Sequence, residues 1–224
     1  SPTLLALLKG TLNLATCPAC QSRILVDTPL VYRDAAEGLF IWLVPGGDWR
    51  PLEVELLRMA EEAGRQEEEE DGTRLPLTCR LVLSRRNLVE KIMLFRNGFD
   101  DALVEYIKFN LYHHREHPID PEANELLYDF SATDDEKLMF LVIDRKSGRA
   151  TAHTHLEMSA YQELAAVYAD TQDGREEMRK IFPGPYVSAS RMICGDAEEA
   201  EAEAPVRPKT KRAPRAAGKK KSAK

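Results

Sequence analysis

Apolar positions recur along this chain with two different periods. Residues 38–44 read Gly-Leu-Phe-Ile-Trp-Leu-Val, a run of strand length closed by Pro45-Gly46-Gly47. Leu52, Leu56, Met59, Ala60 and Ala63 then fall at i, i+4, i+7, i+8 and i+11, the apolar face of a helix. Pro51 suits its first turn, and Gly64 marks its expected end. Residues 77–83 predict a strand. Leu88, Val89, Ile92 and Phe95 predict a second helix stopped by Asn97-Gly98. Leu103, Tyr106, Ile107 and Leu111 predict a third that starts at Asp100 or Asp101 and is broken by Pro118 and Pro121. Residues 138–143 predict a strong strand, Lys146-Ser147-Gly148 a turn, and residues 150–155 its hairpin partner. Ser159 and Gln162 have capping-box spacing before a face of Tyr161, Leu164, Ala165 and Tyr168. Residues 186–193 predict a last strand. At the other end, Leu4 to Leu8 with Leu12 predict a short helix or turn, and residues 24–26 and 29–32 read as extended. Helices and strands mix without regular alternation, so the expected class is α+β, with mixed or antiparallel strands around a helical hairpin.

Charge divides the chain. Of its 224 residues, 31 are Lys or Arg and 37 are Asp or Glu, for a net charge of −6. Nine of the cations lie after residue 204, where no acid occurs, so residues 1–204 are near −15 and the tail near +9. The tail is poor in large apolar side chains and cannot offset the entropy of ordering. The expected division is therefore an α+β domain over 1–193 and a disordered acidic-then-basic tail over 194–224. The tail cations are Arg207, Lys209, Lys211, Arg212, Arg215, Lys219, Lys220, Lys221 and Lys224. They could hold nucleic acid by counterion release without reading sequence, or hover over the acidic body. The acidic run at 67–71 reads as a solvated loop. The helical hairpin is not read as a DNA-binding helix-turn-helix, because its second helix opens with Asp100-Asp101 and carries Glu105, which repel phosphate. Leu4 to Leu8 is far too short to cross a membrane and has no basic stretch before it, so no membrane partner is expected.

Cys17-Pro18-Ala19-Cys20 carries the most chemistry. Two intervening residues let one turn present both sulfurs to the same point. Metal, redox and inert readings all fit a Cys-x-x-Cys pair. Thiol oxidoreductases place the first cysteine at a helix N-terminus, whereas Gln21 to Val26 looks extended, which favours metal. Two thiolates make only half of a tetrahedral zinc site. The pair also favours a reducing compartment, hence a cytoplasmic location.

Other stretches extend the pattern. Leu8-Lys9-Gly10-Thr11-Leu12-Asn13 precedes the cysteines, and Pro29-Leu30-Val31-Tyr32-Arg33-Asp34 and Ile41-Trp42-Leu43-Val44-Pro45 follow. Asn87-Leu88-Val89-Glu90-Lys91-Ile92 and Gly98-Phe99-Asp100-Asp101 occupy the predicted hairpin. Together these resemble the CpXC domain family, over roughly residues 3–115 and more weakly to 193. The family carries two Cys-Pro-x-Cys motifs, and Cys17 to Cys20 resembles the second. Only 16 residues precede Cys17, too few for the first, so the chain is expected to lack it through truncation or loss. The resemblance implies a zinc-ribbon-like element over 1–32, with structural zinc at Cys17 and Cys20 as an incomplete site, and it implies no particular activity.

The remaining candidates are weaker. Cys79 and Cys194 are isolated and read as small buried hydrophobes. His113 and His117 have helix-face spacing that suits metal, but Pro118 follows, and histidines also favour helix C-termini without metal. His153 and His155 alternate on one side of a strand and read as surface residues. No phosphate-cradling glycine loop or nucleophile elbow is present. The expected function is a non-catalytic zinc-dependent binding module for a protein or nucleic acid. The alternative is an enzyme with a cleft site drawing on Asp34, Asp100 or the histidines.

Overall fold

The computed structural model describes residues 2–35, 37–71 and 77–193. Helix α1 (Pro2–Leu8) leads into a hairpin of β1 (Leu14–Thr16) and β2 (Arg23–Leu25). Strands β3 (Leu30–Asp34) and β4 (Leu39–Leu43) pair antiparallel. Helix α2 (Trp49–Asp71) crosses over to β5 (Thr78–Val82), which joins β4 in parallel. The helical hairpin follows as α3 (Arg85–Arg96) and α4 (Asp101–Tyr112). A second antiparallel sheet is built from β6 (Asn124–Tyr128), β7 (Lys137–Asp144) and β8 (Ala150–Glu157). Helices α5 (Met158–Tyr168) and α6 (Gln172–Ile181) close the order. The class is α+β, as expected.

The hairpin helices join the two halves. The apolar face of α3 sends Leu88 and Ile92 onto β4 and α1, burying Leu4, Leu7, Ile41 and Leu43 with them. Leu94 turns the other way and packs with Leu103, Val104 and Ile107 of α4 against Leu138 and Phe140 of β7 and against Tyr161 of α5. Burying each such side chain contributes about 1.5–3 kcal/mol. Local signals place the turn between the helices. Ser84 and Asp100 cap the two N-termini through bonds to the Asn87 and Leu103 amides. Gly98 takes φ 74°, which a residue with a Cβ adopts only under strain.

Four expectations are corrected. Helix α2 runs through Gly64 to Asp71, so the acidic run lies on helix. One glycine costs about 1 kcal/mol, and the Arg, Gln and Glu around it favour helix. Ser159 does not cap α5, because that helix opens one residue earlier and Glu157 holds the cap position without a side-chain bond. Residues 186–193 form no strand. They complete a strap over 182–193 whose last five residues are helical. Pro183 and Pro185 lack amide donors, and the Tyr186 and Ala189 N–H groups donate to carboxylates of Glu53 and Glu105 instead of to a strand. Tyr186 stacks on Trp49 at 5.3 Å, and the Arg191 guanidinium lies over the same ring while bonding Glu53 at 2.7 Å. Finally, His113 and His117 share no helix face, since α4 stops at Tyr112.

Candidate functional site

Cys17 and Cys20 sit on the turn that joins β1 to β2. The Cys17 amide donates to the Ser22 carbonyl, and the Gln21 amide donates back to the Cys17 carbonyl. Gln21 has φ 58°, turning the chain sharply enough to start β2 immediately. Cys20 is exposed and Cys17 half-buried. The Cys20 sulfur lies 2.9 Å from the Ser22 hydroxyl, and the Ser22 side chain and backbone lower its thiol from the ordinary value. The sequence places both thiols on one tight turn, and the structure does the same. Among the described residues, no group of three or more His, Cys, Asp or Glu side chains is placed to hold a metal ion.

An arginine ties the flanks of this turn to the body. Arg85 at the start of α3 donates its Nε to Asp27 at 2.7 Å, Nη1 to the Leu12 carbonyl at 3.0 Å and Nη2 to the Val26 carbonyl at 2.8 Å. The three acceptors flank the hairpin on both sides.

A second constellation lies outside the sequence expectations. Arg80, Asp101, Lys91, Glu105, Lys108 and Glu90 form a chain of alternating sign. All are buried except Arg80, whose side chain is 18% exposed. Arg80 grips Asp101 with two bonds of 2.7 Å. Lys91 bridges Asp101 at 2.9 Å and Glu105 at 3.1 Å. Lys108 bridges Glu105 at 3.0 Å and Glu90 at 2.7 Å. The Ala189 amide donates to the other Glu105 oxygen, so the strap covers the cluster. Burial alone would raise the Asp101 carboxyl, but Arg80 and then Lys91 outweigh it and hold it well below the usual range. Glu105 is lowered in the same way by Lys108 and Lys91 against its burial. Burial would pull the Lys108 ammonium down, yet Glu105 and Glu90 keep it well above its ordinary value. Glu90 differs: burial dominates and raises its carboxyl. Its Oε1 accepts from Lys108 and from the Tyr128 amide at 2.6 Å, while Oε2 has no partner among the described residues.

Glu90 also lines an open cleft of about 680 Å³ between α1, β2, the start of α3 and the β6–β7 face. Leu7, Leu25, Leu83, Val89, Leu127, Phe130, Leu141 and Ile143 supply its apolar walls.

The carboxylates and histidines of the enzyme alternative are not brought together. Asp100 is the α4 cap, and Asp34 accepts from Tyr32 along β3, on the wall of a separate, smaller cleft. His113 bonds the Phe109 carbonyl at the surface, and His153 and His155 are exposed on β8. Cys79 is half-buried in β5, and burial raises its thiol. Cys194 and the nine tail cations lie outside the described residues. Among the described residues, no helix is long and apolar enough to cross a membrane.

Sequence comparison adds one match. The family model for CpXC protein matches residues 3–108, from α1 into the second half of α4, which bears out the resemblance carried by the cysteine pair and the hairpin. No curated protein and no solved structure matches the chain.

Proposed function

Proceeding from the CpXC match over residues 3–108, we propose that this chain is a non-catalytic binding module for a protein or nucleic acid, with an N-terminal element built around zinc held by Cys17 and Cys20. The observation that carries the reading is a hairpin without a core. Every residue of β2 is exposed, and Ile24, Leu25 and Val26 remain 57%, 42% and 42% accessible. An isolated two-stranded hairpin is marginal in water. Small elements that lack a core are held instead by a cross-link, and zinc bound to thiolates supplies one without redox chemistry.

The donor chemistry fits that role. Thiolates are soft ligands suited to zinc, and the Ser22 contacts already favour the thiolate of Cys20. The two sulfurs fill half of a tetrahedral set, so the other two positions go to ligands beyond the described residues or to solvent.

The test is a cobalt(II) titration of the 224-residue chain followed by zinc displacement. The reading expects saturable thiolate-to-metal absorption that zinc removes and that both Cys17→Ser and Cys20→Ser abolish. Absence of that absorption, or its survival in both variants, overturns the proposal.

A further inference from the structure

The sheet of β6, β7 and β8 treats its two edges differently. On the outer edge of β6, the Leu126 amide donates to the Tyr112 hydroxyl at 2.7 Å and the Tyr128 amide to the Glu90 carboxylate at 2.6 Å. Side chains of α4 and α3 thus answer the amides that no further strand takes up. Strand β8 forms the opposite edge. The Met158 amide just beyond it donates to the Glu136 carbonyl on the β7 side. Amides alternate in direction along a strand, so Leu156, Thr154 and Ala152 bond β7, while Glu157, His155 and His153 point outward. These three amides have no acceptor among the described residues.

Native sheets blunt such an edge with a short strand, with Lys or Pro, or with a bulge. Strand β8 has eight residues, no Lys and no Pro, and Glu157 is its one formal charge. Six of the eight are exposed. The register irregularity lies opposite Val142 and Ile143, at one end, so residues 152–157 stay regular.

The two ends of the edge differ in sign. At the β7–β8 turn, Arg145, Lys146 and Arg149 are exposed, and Asp144 is the one acid among residues 144–149. At the other end, Asp134, Asp135, Glu136 and Glu157 are exposed, with Lys137 the one cation beside them. Antiparallel pairing of two β8 edges about a two-fold axis sets the basic end of each copy beside the acidic end of the other. Parallel pairing would set like against like. A foreign strand would need the same charge gradient, whereas a second copy brings it through symmetry.

We propose that β8 is a homodimerisation edge, pairing antiparallel with β8 of a second copy to join two three-stranded sheets into one of six strands. The join does not depend on the cysteine pair or on a metal.

Sedimentation equilibrium of the 224-residue chain at about 100 μM, with a chelator present, tests it. The expected mass is twice the 25.3 kDa of one chain. His155→Pro removes an outward amide and no bond to β7, so it should return the mass to that of one chain while the circular dichroism stays unchanged. Should that variant unfold, charge reversal takes its place. Arg149→Glu should weaken the dimer roughly tenfold, because an attraction at each of two symmetric contacts becomes a repulsion, and adding Glu157→Arg should restore it. A single-chain mass for the wild type, an assembly larger than a dimer, a dimer that the folded variants leave intact, or a double variant as weak as Arg149→Glu overturns the proposal.

Discussion

Replacing Asp101 by Asn keeps the shape of the side chain and removes one charge from the middle of the buried ion chain. Arg80 then loses its bidentate partner, and Lys91 keeps only Glu105 at 3.1 Å. Asp101 and Lys91 are each 2% exposed, so water cannot take over the abandoned charge. Removing one member of such a pair costs about 3–5 kcal/mol, a large part of the roughly 5–15 kcal/mol that holds a domain folded. With a urea dependence near 2–3 kcal/mol per molar, the midpoint should fall by about 1–2 M. Equilibrium urea unfolding followed by the fluorescence of Trp42 and Trp49 measures it. Arg58→Ala on α2 is the matched control. Arg58 also makes two ionic contacts, at 2.7 Å to Glu55 and 2.9 Å to Glu62, but in solvent, so its midpoint should not move measurably. If Asp101→Asn shifts the midpoint no more than Arg58→Ala does, the ion chain is not acting as a buried network.

Two further outcomes follow from neighbouring features. Because the folded-state carboxyl of Asp101 lies below its unfolded value, its contribution is complete above about pH 4 and is lost at more acid pH, so the gap between wild type and Asp101→Asn should narrow by about 1.4 kcal/mol per pH unit there; a gap of constant size at pH 3 contradicts this. Gly174→Ala should lower the thermal midpoint despite the better helix propensity of Ala, because its Cβ would meet the backbone of Val167 and lie 2.6 Å from Tyr168 Cα, a clash worth about 1–3 kcal/mol. A midpoint unchanged or raised by differential scanning calorimetry would show that the α5–α6 junction yields.

Most of this fold is written in its apolar periods, and the exceptions have physical causes. Strand β6 escapes a sequence reading because Asn-Glu-Leu-Leu-Tyr has no alternation: it pairs on one side only with β7, yet buries consecutive residues. Helix α6 hides because only Gly174 and Met178 are buried, and glycine argues against helix. The 186–193 segment has strand-forming residues, but its amides find carboxylates from distant elements, a pairing that no local pattern encodes. The cysteine pair is plain in the sequence because its spacing alone defines it. The ion chain is not, since charges on a helix ordinarily face water. Its trace is that Lys91 adjoins Ile92, and Glu105 and Lys108 flank Val104 and Ile107, so the charges interrupt apolar faces instead of opposing them.

The strap also sets a timetable for synthesis. The Ala189 amide that completes Glu105 lies 84 residues downstream, and the Arg191 side chain that meets Glu53 lies 138 residues downstream. At roughly 5–20 residues per second, about 4–17 s separate the translation of Glu105 from that of Ala189. Residues 3–108 therefore leave the ribosome as a recognisable sequence but an unfinished structure, with Leu94 and Leu103 still waiting for β7 and the ion chain still uncovered. The stretch that carries the resemblance is a unit of sequence, while the unit of folding extends to the strap.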